Sequence, residues 1–167
     1  MGNIRSTHFI DDIQRCIYAL LNELASTTSP WTDWTVKLGY PEAEVFDQFD
    51  EPIIYVMPPV QINKIRHQGE SAPTRYWRMT IGAWLNRMQG GTEEMNIIGS
   101  KLMALFEDGA TCCSTTTFDV TLGTTAYTNT NLITMGIVCN GIEGPNERFD
   151  VVDEKEFRNE WDVELIA

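Results

Sequence analysis

Two histidines, four cysteines and a surplus of carboxylates are the residues whose types could do chemistry, and their spacing limits what that chemistry is. His8 opens an apolar-periodic stretch and His67 lies in a polar one. No G-x-S-x-G accompanies either, so a nucleophile with a base in reach has no support in the pattern. Cys16 falls on an apolar stripe, Cys139 in an alternating run and Cys112-Cys113 in a small-polar stretch. The C-x-x-C spacing of a zinc site is absent, and the thiols read as small buried hydrophobes of a reducing compartment. Gly90-Gly91 precedes a helical pattern, but no Lys-Ser/Thr follows, and Glu93-Glu94 would repel a phosphate there. Asp47, Asp50 and Glu51 form one acidic cluster, and Asp153, Glu154 and Glu156 another. Neither has the alternation and central glycine of a calcium loop, and both read as solvated acids, with acid-base work at the first cluster kept as the rival enzyme reading. The expectation is therefore no enzyme, no catalytic residue, no metal and no cofactor.

The charge excludes one further class. The chain of 167 residues carries a formal net charge of −12. Nine acids against Arg148, Lys155 and Arg158 leave −6 in the segment from Glu143 to Ala167, half of the total. Affinity for nucleic-acid phosphate rests on Lys and Arg releasing counterions, so a basic binding face is not expected. The acidic end reads as a solvated face that keeps the protein soluble or, more sharply, as a repulsive surface that DNA slides past. No apolar run approaches the roughly 18 residues of a membrane span, and one domain over residues 1–167 is long enough to bury a core.

The elements that position these groups are legible from periodicity. Phe9, Ile10, Ile13, Ile17, Leu20, Leu21 and Leu24 stripe a first helix from Thr7 to Ala25, behind a Ser6 or Thr7 cap. Trp34 to Leu38 is a short strand, and Ile53 to Met57 is a strand whose continuous apolar character predicts burial on both faces. Pro58-Pro59 interrupts it, and the polar stretch to Arg75 reads as a hairpin-like arm over 58–75. From Tyr76 to Arg87 the alternation is strict: Trp77, Met79, Ile81, Ala83 and Leu85 share one face, with Trp84 on the other beside Arg78. A second helix spans Thr92 to Asp108. Phe118, Val120 and Leu122 then alternate, as do Ile133, Met135, Ile137 and Cys139, which predicts an antiparallel hairpin across a Thr-rich turn. Gly141, Gly144 and Pro145 mark a break before an acidic C-terminal extension, 144–167, with edge or partner-seeking strands at Phe149 and Trp161 to Leu165. The simplest arrangement is α+β, a mainly antiparallel sheet with two amphipathic helices packed on one face.

This order of elements resembles the tail terminator and tail completion proteins of tailed bacteriophages: helix Thr7 to Ala25, strands Ile53 to Met57 and Tyr76 to Arg87, helix Thr92 to Asp108, and strands Thr116 to Leu122 and Leu132 to Cys139. The resemblance covers most of the chain and rests on element order and texture. It implies a structural virion protein at the head-tail junction, a homo-oligomeric ring, commonly a hexamer, that caps the tail tube and meets the head connector or neck protein. Assembly in the host cytoplasm, no membrane, and DNA passing through the lumen without specific binding go with it. The alternatives are a neck or head completion protein of the same junction and a non-phage adaptor module. Under this reading Ile65, Arg66, Trp84, Phe149, Trp161 and Val163 are interface candidates, and Asp153, Glu154 and Glu156 are acids of the DNA channel.

Overall fold

A computed structural model describes residues 9–27, 34–40, 52–86, 91–107, 118–122, 124–130, 136–146 and 156–167. The fold is α+β: two helices and a six-stranded mixed sheet, mostly antiparallel, with a separate two-stranded sheet. Helix α1 runs Phe9–Thr27 and α2 Gly91–Glu107. Strands β1 (Thr35–Leu38), β2 (Ile53–Val56), β3 (Val60–Ile65) and β4 (Thr74–Asn86) precede α2. Strands β5 (Phe118–Leu122), β6 (Thr125–Thr130), β7 (Val138–Asn146) and β8 (Glu156–Ile166) follow it.

The large sheet is ordered β1-β2-β4-β8-β7, and β3 also pairs with β4. Among the described residues only β1 and β2 run parallel. β4 is the spine. Its first part holds β3 through Val60↔Arg78 to Ile65↔Thr74, its second part holds β2 through Val56↔Ile81 to Ile53↔Trp84, and on the other side Tyr76 to Asn86 hold β8. β2 and β3 are successive segments along the same side of β4. Proline has no N–H for the ladder, and the break between them falls at Pro58-Pro59, after Met57 donates its N–H to Thr80 O at 2.9 Å.

Period-two alternation along β4 and β8 separates two faces. Trp77, Met79, Ile81, Ala83 and Leu85 join Trp161, Val163 and Leu165 in one buried cluster that takes in Ile13, Ile17, Leu20 and Leu21 of α1 and Met95, Ile98, Leu102 and Phe106 of α2. At about 25 cal/mol per Å² of apolar surface, this cluster is the main stabilising contribution of the fold. Gln14 Nε2 of α1 donates to Val56 O at 2.8 Å, and Lys101 Nζ of α2 lies 5.3 Å from the Trp34 ring centroid, so each helix also has a polar attachment to the β1-β2 end. The Cys139 thiol donates to Phe106 O at 3.2 Å, and Cys16 and Cys139 are both buried thiols.

Two glycines admit the indole of Trp161 to this core. A Cβ built at Gly99 of α2 would stand 2.9 Å from Cζ2, and one at Gly144 of β7 would stand 2.9 Å from Cδ1. Gly144 also has φ +134°, a conformation L side chains rarely adopt.

Three expectations are corrected by the strand pairing. Phe118–Leu122 pairs with Thr125–Thr130 in a two-stranded sheet, and the described residues Val138 and Cys139 pair with β8. The chain turns at Thr124, and the threonines beyond it form a strand, because β-branched threonine suits a pleated surface. Gly141 and Gly144-Pro145 do not end the Cys139 strand. They lie within β7, which continues to Asn146 through two register shifts and a cis Gly144-Pro145 peptide. The C-terminal segment is also no edge: β8 lies between β4 and β7.

A third glycine, Gly82, separates Tyr55 from Glu160 in register. A Cβ there would lie 1.9 Å from Tyr55 Cζ, so the phenol crosses β4 only because position 82 has no side chain. Gly82→Ala is expected to expel the ring and cost about 2–4 kcal/mol, measured by urea unfolding. The same change in a Tyr55→Ala background should cost much less, and equal costs in the two backgrounds would contradict this packing.

Candidate interaction surface

The chemistry of the described residues gathers on the sheet face opposite the helices. Along β8 the alternation places Arg158, Glu160, Asp162, Glu164 and Ile166 on that face, with Trp161, Val163 and Leu165 buried on the other. The acids are held by cross-strand partners. Tyr55 Oη donates to Glu160 Oε1 at 2.7 Å, Thr80 Oγ1 to Asp162 Oδ1 at 2.8 Å, Asn146 Nδ2 to Asp162 Oδ2 at 3.0 Å and Asn140 Nδ2 to Glu164 Oε2 at 3.2 Å. Arg78 Nε stands 4.0 Å from Asp162 Oδ2, and Arg158 Nε 3.9 Å from Glu160 Oε1. A carboxylate row this well supplied with donors is fixed in position.

At one end the row meets an aromatic cluster. Ile53, Tyr55 and Trp84 form a small second core, with Met57 packed against it. The Tyr40 ring lies 5.3 Å from Tyr55 and 5.5 Å from Trp84, and the Arg158 guanidinium lies 5.1 Å from the Tyr40 centroid and donates to its hydroxyl. Burial, then the hydrogen bond to Glu160 and its charge, push the Tyr55 hydroxyl well above its ordinary value near 10. It therefore stays a neutral donor wherever Glu160 is an anion. The cation of this cluster, Arg158, lies over the Tyr40 ring.

The second feature is the β3 edge. All six residues of β3 are exposed, with Val60 at 64%, Ile62 at 43% and Ile65 at 37%. Residues 66–72 beyond it are exposed as well. There Arg66 donates to Ser71 O at 3.1 Å, and His67 and Glu70 close a turn through the N–H of each, His67 N to Glu70 Oε2 and Glu70 N to His67 O, both at 3.2 Å. Arg75 donates to Gln61 Oε1 at 3.0 Å. The 58–75 segment thus contains an antiparallel hairpin, β3 with the start of β4.

The interface candidates divide. Ile65 and Arg66 stand on this exposed hairpin. Trp84 faces away from the helices as expected, but Tyr40 covers it and only 5% is exposed. Trp161 and Val163 are core residues, 1% and 0% exposed, because β8 is a central strand, which corrects their assignment to an interface. Phe149, Asp153 and Glu154 lie outside the described residues, as do His8, Asp47, Asp50, Glu51 and Cys112-Cys113. Glu156 opens β8. The acids brought together on the sheet are instead Glu160, Asp162 and Glu164. Their signal was the period-two alternation with Trp161, Val163 and Leu165, which grouping by closeness in the chain overlooked.

Among the described residues no group of three or more His, Cys, Asp or Glu could hold a metal ion. Among them, too, no helix is long and apolar enough to cross a membrane. No protein-family model and no curated protein sequence matches this chain.

The Tyr55 hydroxyl yields a pH prediction. The folded state holds this proton above the value near 10 at which the unfolded chain releases it. Its stabilising contribution is thus complete below about pH 10 and lost as the pH rises beyond. Tyr55→Phe should lower stability at neutral pH by about 1–3 kcal/mol and flatten the decline between about pH 10 and 11.5, followed by chemical denaturation. An equally steep decline in the variant would assign it to other groups.

Proposed function

We propose that this chain is a structural virion protein of the phage head-tail junction, a tail terminator whose copies form a ring, six by the resemblance. The ring caps the tail tube and offers a surface to the head connector or neck protein. Its place is the virion, after assembly in the host cytoplasm.

The observation that carries this reading is β3, an edge strand whose six residues are all exposed and include Val60, Ile62 and Ile65. An unpaired edge with apolar side chains is a template for another chain, and proteins that stay monomeric blunt such edges. The Pro58 to Arg75 hairpin is of the kind a ring subunit could use as an arm, and the order helix, strands, helix, strands is the coarse pattern on which the family resemblance rests. The row Glu160, Asp162 and Glu164, in a chain of net charge −12, suits a surface past which DNA moves without being retained. The acids of that row are held by donors from β2, β4 and β7, which agrees with work done by contact and not by bond making.

Native mass spectrometry and light scattering on the full chain test the reading. The expected result is a discrete oligomer that forms with rising concentration and has a central opening by negative-stain microscopy. A monomer at every concentration up to the millimolar range would refute it.

A further inference from the structure

Among the described residues the sheet is open at the short β1, beyond β2, and at two longer margins, β3 on one side of β4 and β7 on the far side of β8. Their chemistry is opposite. The hairpin from Val60 to Arg75 carries Lys64, Arg66 and Arg75 against the single acid Glu70, an excess of +2 in a chain of −12. The side-chain partners of Arg66 and Arg75 are neutral, the carbonyl of Ser71 and the amide of Gln61. At the other margin, Glu107 from the end of α2 and Glu143 of β7 are exposed, and with Glu164 they line a shallow depression of about 330 Å³ that includes Asn140, Gly141 and Ile142. Val138, 51% exposed, adds an apolar side chain to β7.

We propose that the β3 hairpin of one copy docks on the β7 margin of the next, extending the sheet from copy to copy and setting Lys64 and Arg66 against Glu107 and Glu143. The occupant is a second copy of this chain because both halves of a charge-complementary contact are present on one protomer. Pairing two β3 edges would oppose like charges, as would pairing two β7 margins, so the contact is head-to-tail. A head-to-tail contact that closes makes a ring, and backbone ladder bonds supply affinity while the charges fix register. The inference rests on the reading of the chain as a ring subunit, and it replaces β8, a central strand, with β7 as the receiving surface.

The test uses four full-length proteins in sedimentation velocity: wild type, K64E/R66E, E107K/E143K, and the chain with all four changes. The substituted side chains are exposed, and thermal unfolding followed by circular dichroism checks that each variant folds. Each double reversal should weaken self-association at least about tenfold, and the fourfold variant should regain it. An equimolar mixture of the two double variants should also associate, because an acidic hairpin then meets a basic margin and a basic hairpin an acidic one. Wild-type oligomers unaffected by either reversal would overturn this contact, give the hairpin another partner, and leave the ring reading standing. Reversals that dissociate the oligomer without recovery in the mixture would overturn the pairing of these two margins. A wild type that never associates would remove the ring reading itself.

Discussion

The whole sheet depends on one strand being paired along both sides. β4 carries β3 and β2 in succession on one side and β8 on the other, so the hairpin, the parallel β1-β2 corner and the C-terminal strand share a single register. That register is fixed at the surface away from the helices by the crossing of Tyr55 over Gly82 to Glu160. There a side chain on β2 bonds a carboxylate two strands away. A one-residue slip would bring a side chain under the phenol and exchange the two faces of β8. Trp161 provides the corresponding constraint on the other face, seated where Gly99 and Gly144 both omit a Cβ.

From this register follows a division of labour between the two faces. The helix side is a continuous apolar cluster, and the opposite side is a row of acids whose hydrogen-bond donors come from β2, β4 and β7. Such a row is rigid and charged, with Tyr55 locked as a neutral donor. It has the properties of a surface that repels polyanions. The surface with unmet bonding capacity is the margin of the sheet, where β3 presents backbone and apolar side chains together.

Much of the architecture was legible because it obeys local rules. Both helices, the buried β2 and the two faces of β4 followed from periods of 3.6 and 2, and Trp77 and Trp84 fell on opposite faces as their odd spacing requires. What escaped was partner choice. Nothing local in Phe118 to Leu122 says that a run of threonines will pair with it, and nothing local in Trp161 to Leu165 says that the strand lies between two others. Gly141, Gly144 and Pro145 read as a terminator because breakers usually are, whereas here they form bulges within a strand. The interaction surface was half legible. The exposed hairpin that carries Ile65 was foreshadowed by the length and polarity of its segment, but the acids on the sheet required knowing where β8 sits.

The central claim is that this protein acts through contacts between copies made at open sheet margins. Hydrogen exchange across a protein concentration series tests it most directly, since a margin that gains ladder bonds protects its amides. The account predicts that protection within Val60 to Ile65 and Val138 to Asn146 rises with concentration while the interior strands β4 and β8 stay unchanged. Exchange in both margins that remains fast and independent of concentration would contradict it.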